Sequence, residues 1–124
     1  MPASPGDVLD RLTILELKLA ACQTDDARQT IHFAIEALSS AWRDALGTDP
    51  KAHPAWVQLH AINAELWQIE DEIRAFERTG DFGSEFVATA RSVYQINDRR
   101  AAQKQQIDEA LGSPMVDLKF HHPA

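Results

Sequence analysis

The chain has 124 residues, 44% apolar and 25% charged, which suits one core burying roughly two thirds of the unfolded surface and argues against disorder. Its formal charge is −7 with no Lys/Arg cluster, a balance that repels phosphate backbones and anionic lipid, so neither nucleic acid nor a membrane is an expected partner. The one cysteine, Cys22, excludes an intramolecular disulfide and a multi-Cys zinc site, and with neither a basic leader nor a long apolar run a cytoplasmic location is expected.

Ser4, Pro5, Gly6 and Asp7 supply an N-cap, a proline at the first helical position and an early acid, the start of a helix over about residues 5–22. Its stripe of Val8, Leu12, Leu15, Leu19 and Cys22 places the thiol in the core. Thr24 and Asp25 open a second helix, about 25–46, with Ile31, Ile35, Leu38, Trp42 and Ala45 inward and Gly47 as its stop. A loop follows, and Pro54 is placed to open a third helix, about 54–79, whose Leu59, Ile62, Leu66, Ile69, Ile73 and Phe76 alternate by threes and fours up to Gly80. Asp81 is a cap for a fourth, about 82–111, with Phe86, Ala90 and Val93 inward at its start and Ile107 and Leu111 at its end. Strand patterns are absent. Short connections predict an all-α, antiparallel up-down-up-down four-helix bundle, a single domain over 1–124 with long third and fourth helices and an extended tail at 112–124. The longer pair would carry Trp56, Leu59, Ile107 and Leu111 past the first helix, to be covered by the tail from Pro114 to Phe120 or by a second copy in a homodimer.

On the inward stripe of the fourth helix stand Asn97, Arg100 and Lys104, and burying such groups costs several kcal/mol unless each finds a partner. In an antiparallel pair turning at Gly80, residue numbers summing to about 162 meet, which sets Asp71 by Arg91, Leu66 by Asn97, Asn63 by Arg100 and Leu59 by Lys104. Glu70 stands on a polar edge with Asn63 and Glu77, Trp67 can wall the space, and Asp10 and Glu16 are anions for Arg100 or Lys104. Two readings follow: an ion-pair network that fixes helix register, or a mid-bundle pocket of Asn63, Trp67, Glu70, Asp71, Arg91, Asn97, Asp98, Arg100 and Lys104 able to hold a small anionic ligand.

Glu65, Glu70, Asp71, Glu72 and Asp98 offer oxygens for Mg²⁺. Their spacing nonetheless lacks the Glu-Glu-x-x-Glu of helical nucleotide pyrophosphohydrolases, and a solvated acidic face is the plainer expectation. No Glu-x-x-His, Gly-x-Ser-x-Gly or glycine-rich phosphate loop occurs, so no metal or cofactor is expected. Trp42 reads as core.

Three segments together resemble a known family: Gly-Asp-Val-Leu-Asp-Arg-Leu-Thr-Ile-Leu at 6–15, Leu-Trp-Gln-Ile-Glu-Asp-Glu-Ile-Arg at 66–74, and Ala-Arg-Ser-Val-Tyr-Gln-Ile-Asn-Asp-Arg-Arg-Ala at 90–101, continuing to Lys104. The chain looks like a bacterial and phage family of small helical proteins, a domain of unknown function. Members commonly end in a tail like Glu-Glu-Lys-Ser-Tyr, where this chain has Val116, Asp117, Leu118, Lys119 and Phe120. The resemblance implies an accessory role beside cell-surface polysaccharide and glycosyltransferase functions. The expected function is a non-enzymatic interaction module whose exposed aromatics or tail bind a protein partner. The alternative is a metal-dependent enzyme acting on a phosphorylated or nucleotide substrate through the polar pocket.

Overall fold

A computed structural model describes residues 2–112 and 116–117. Helices α1 (Pro5–Ala21), α2 (Asp25–Leu46), α3 (Trp56–Thr79) and α4 (Ser84–Ala110) form an all-α four-helix bundle. The caps of α1 and α2 follow from the sequence: the side chains of Ser4 and Thr24 accept hydrogen bonds from the backbone N–H of Asp7 and Ala27, both at 3.2 Å. At the far end of α3, Gly80 adopts φ 68°, a left-handed conformation that reverses the chain into the α3–α4 connection at little steric cost only for glycine.

Two helix starts differ from the expected ones, each because side chains organise the preceding turn. Asp49 caps a short 3-10 turn, Pro50–Ala52, and His53 Nδ1 accepts from the Ala55 N–H at 3.0 Å, so α3 begins at Trp56 instead of Pro54. Asp81 Oδ1 accepts from the Gly83 N–H at 3.2 Å, which makes Asp81 part of the turn and leaves Gly83 at the N-cap of α4.

His53 is also edge-on to Trp42, with ring centroids 6.0 Å apart, and burial holds its imidazole pKa below the usual range. A neutral, accepting imidazole therefore stabilises the fold above the unfolded-state pKa of about 6.5, and that stability is lost as pH falls from there through the folded-state value. Acidification from neutrality should lower Tm in the wild type, and a thermal melt series should show a flatter dependence in His53→Ala over the same window.

α1 is the hub: it packs against α2, α3 and α4, and α3 pairs along its length with α4. The core gathers Val8, Leu9 and Leu12 of α1 with Leu38 and Trp42 of α2, Leu59 of α3 and Ile107 of α4. Trp42 is fully buried and its indole N–H donates to Thr48 Oγ1 at 3.2 Å. Leu59 and Ile107, expected as apolar surplus, are thus filled from within the chain, and Trp56 and Leu111 lean on the same cluster. The reason is register: the N-terminus of α1 lies level with the C-terminus of α4, where Gly6 meets Asp108. A two-residue antiparallel pairing of β1 (Pro2–Ala3) with β2 (Val116–Asp117) lies at this end, with β2 against α2. Of the tail expected to cover it, 113–115 and 118–124 lie outside the described residues.

The overhang is at the opposite end. Ala21, the last residue of α1, shares a hollow with Asp71, so the remaining eight residues of α3, 72–79, run about 12 Å past α1. The start of α4 accompanies them. Phe76, Phe82 and Phe86 form edge-to-face pairs there, with centroids 6.0 and 5.1 Å apart. Phe82 and Val87 nevertheless remain 57% and 42% exposed. Cys22, expected in the core, is half-buried at the C-cap of α1, its thiol donating to the Leu19 carbonyl at 3.1 Å.

Candidate functional site

The polar residues of α4 meet α1 more than α3. Along one stripe of α4, Arg100, Lys104 and Asp108 are spaced by four, and each meets a residue near the start of α1. Arg100 Nε and Nη2 donate to Oδ1 and Oδ2 of Asp10 at 2.8 and 2.6 Å. Lys104 Nζ lies 2.8 Å from Asp7 Oδ1, and Asp108 Oδ1 accepts the Gly6 N–H at 2.7 Å. That last bond satisfies one of the free N–H groups at the start of α1, where the helix dipole also favours a carboxylate.

α3 contributes Asn63. Its amide nitrogen donates to Asp10 Oδ1 and Thr13 Oγ1, both at 2.9 Å, while the Thr13 hydroxyl donates to the Asp10 carbonyl at 2.7 Å. Three helices are therefore stitched at Asp10, whose side chain is 4% exposed against 28% for Arg100. The fork-to-carboxylate geometry is the strongest form of this pair. Asp10 raises the Arg100 pKa through its hydrogen bonds, with a weaker Coulombic pull from Glu70. The hydrogen bond from Lys104 holds the Asp7 carboxyl below its usual range. Among the described residues no buried side-chain nitrogen or oxygen lacks a partner.

Of the candidate residues, Asn63 and Arg100 come together at this junction, and Lys104 sits one turn along. The others are dispersed. Asn97 is exposed, because the buried residue of that turn is Ile96, and the inward stripe runs Val93, Ile96, Arg100, Gln103, Ile107. Asp98 and Arg91 are exposed. Arg91 lies on an outer face of α4 with Ser84, Ala88 and Gln95, not beside Asp71. Asp71 instead pairs with Arg74 on its own helix, and Glu70 is exposed. Trp67 is half-buried against Ala20, Ala21 and Ala64, in the same hollow as Asp71. Glu16 pairs with Lys51 at 3.0 Å instead of with an α4 cation. The register rule itself describes the α3–α4 seam, where Phe76 meets Phe86, Gln58 meets Gln103, and Arg99 Nη2 donates to Glu65 at 2.7 Å.

Gly6, Asp7, Thr13 and Asp108 were not singled out by the sequence as site residues. Their signal was available: on the fourth helix 100, 104 and 108 repeat every four residues, and Asp7 and Asp10 repeat every three on the first. Among the described residues, no group of three or more His, Cys, Asp or Glu side chains is placed to hold a metal ion.

An internal ion-pair junction tying the first helix to the last defines the class: an all-α four-helix bundle stitched by charge through its hub helix. The chain belongs to a family of unknown function (DUF6165), whose model matches residues 1–122. No curated protein and no solved structure matches it. No helix among the described residues is long and apolar enough to cross a membrane.

Proposed function

We propose that the chain is a non-enzymatic interaction module that works through the free end of the α3–α4 hairpin, and that its first partner is a second copy of itself. The supporting observation is the overhang: Phe82 and Val87 are 57% and 42% exposed there, beyond the reach of α1. A two-helix hairpin with one apolar face gains most by packing on another hairpin, which completes four helices around the aromatic cluster. Charge suits self-pairing, since acidic Glu70, Glu72 and Glu77 of α3 can face Arg91 of α4 in a two-fold arrangement. The hold of Asp10 and Asp7 on Arg100 and Lys104 favours this reading over a metal-dependent enzyme gripping a phosphorylated substrate with those cations. An accessory role beside cell-surface polysaccharide biosynthesis belongs to the proposal and rests on the family resemblance alone.

Light scattering across a concentration series tests it. The wild type should approach twice the mass of one chain as concentration rises. The double variant Phe82→Ser, Val87→Ser should stay monomeric with unchanged helicity, because Phe82 precedes α4 and Val87 is 42% exposed. A wild type of single-chain mass at every concentration would end the self-association.

A further inference from the structure

A cleft of about 200 Å³ opens between α1, α2 and the Asp49–Lys51 turn, sharing no lining residue with the hairpin end or with the Asp10 junction. It is smaller than the roughly 300–1,000 Å³ of drug-sized sites, so it fits one small molecule. Its apolar surface comes from Leu12, Ile35 and Trp56.

The charges in this cleft divide into used and unused. Lys51 is engaged by Glu16 at 3.0 Å and lies 5.9 Å over the Trp56 ring. The Asp49 carboxylate accepts the Lys51 N–H at 2.8 Å. Glu36 and Arg43, two turns apart on the α2 wall, have no partner among the described residues. Between them stands Ser39, 8% exposed, whose hydroxyl makes no hydrogen bond within the described protein. Because no buried side-chain oxygen among the described residues lacks a partner, this hydroxyl opens to the water of the cleft, where a ligand can take that water's place.

We infer that this cleft binds a zwitterionic α-amino acid with an apolar side chain. The ligand carboxylate accepts from the Arg43 guanidinium and the Ser39 hydroxyl, its ammonium donates to Glu36, and its side chain packs on Leu12, Ile35 and Trp56. Phosphates are disfavoured by the carboxylates of Glu16, Glu36 and Asp49, and polyamines by Arg43 and Lys51. A neutral sugar would leave Glu36 and Arg43 without charged partners, whereas a zwitterion gives each a charge-assisted bond.

Two-dimensional amide NMR of the full chain, titrated with L-leucine and L-phenylalanine, tests the assignment. Saturable shifts at the Trp56 indole and around Ser39 are expected, with dissociation constants near or below about 1 mM. N-acetyl-leucine, which lacks the ammonium, leucine amide, which lacks the carboxylate, and glucose should each bind at least about tenfold more weakly. Arg43→Gln and Glu36→Gln, both at exposed positions, should keep the wild-type fold by circular dichroism and lose affinity by a similar factor. No saturable shift with either amino acid, an equal response to the blocked derivatives or glucose, or unchanged affinity in both variants would overturn it.

Discussion

Replacing Asp10 by alanine is expected to lower the unfolding free energy by about 3–5 kcal/mol, the cost of removing one partner from a buried charge pair. Asp10 accepts both the Arg100 fork and one Asn63 amide hydrogen. Its loss therefore strands a guanidinium and an amide at a point where three helices meet. Arg100 can recover some water because 28% of its side chain is exposed, but Asn63 is buried at 4% and keeps only Thr13. Asp10→Asn should cost less, since an amide oxygen still accepts. Equilibrium urea unfolding of the two variants gives the comparison, and a neutral Asp10→Ala would remove the junction from any structural role.

Gly6→Ala should also destabilise, by about 1–3 kcal/mol, in the range of overpacked sites. Within a helix this exchange ordinarily stabilises by as much as roughly 1 kcal/mol, so the sign alone is diagnostic. A Cβ at Gly6 would stand 2.5 Å from the Lys104 carbonyl oxygen and 3.0 Å from Asp108 Oδ1. The first of these is backbone and cannot swing aside, so α1 must withdraw from α4 and stretch the Gly6–Asp108, Asp7–Lys104 and Asp10–Arg100 contacts together. Thermal melts of Gly6→Ala should therefore show a lowered Tm; a raised one would mean that the close approach of the two helices tolerates a methyl group.

These two residues also show where the sequence was readable. Caps at Ser4 and Thr24 and the stop at Gly80 are local signals, fixed by backbone geometry within a turn, and they appear where the residue types place them. The α3–α4 register was equally local, because one tight turn sets it. The phase of α4 was harder. A stripe drawn through Asn97 passes over Ile96, and an apolar residue three after Val93 and four before Arg100 was the better anchor. Once Ile96 turns inward, Asn97 must face water and Arg100 must reach α1. Asp10, Thr13 and Asp108 could not be joined to α4 from the sequence, because the contacts span 90 and 102 residues for Asp10–Arg100 and Gly6–Asp108 and depend on where α1 docks. That docking, level with the C-terminus of α4, also moved the apolar overhang from the Trp56–Leu111 end to the Gly80 end.

A double-mutant cycle on Asp10→Ala and Arg100→Ala, read by equilibrium unfolding in urea, bears most directly on whether the junction exists to hold helices together. A structural junction gives a large loss in each single variant and a favourable coupling of about 2–3 kcal/mol between the two positions. Coupling near zero, with Arg100→Ala as stable as the wild type or more so, would instead mark Arg100 as a residue kept for binding at the expense of the fold.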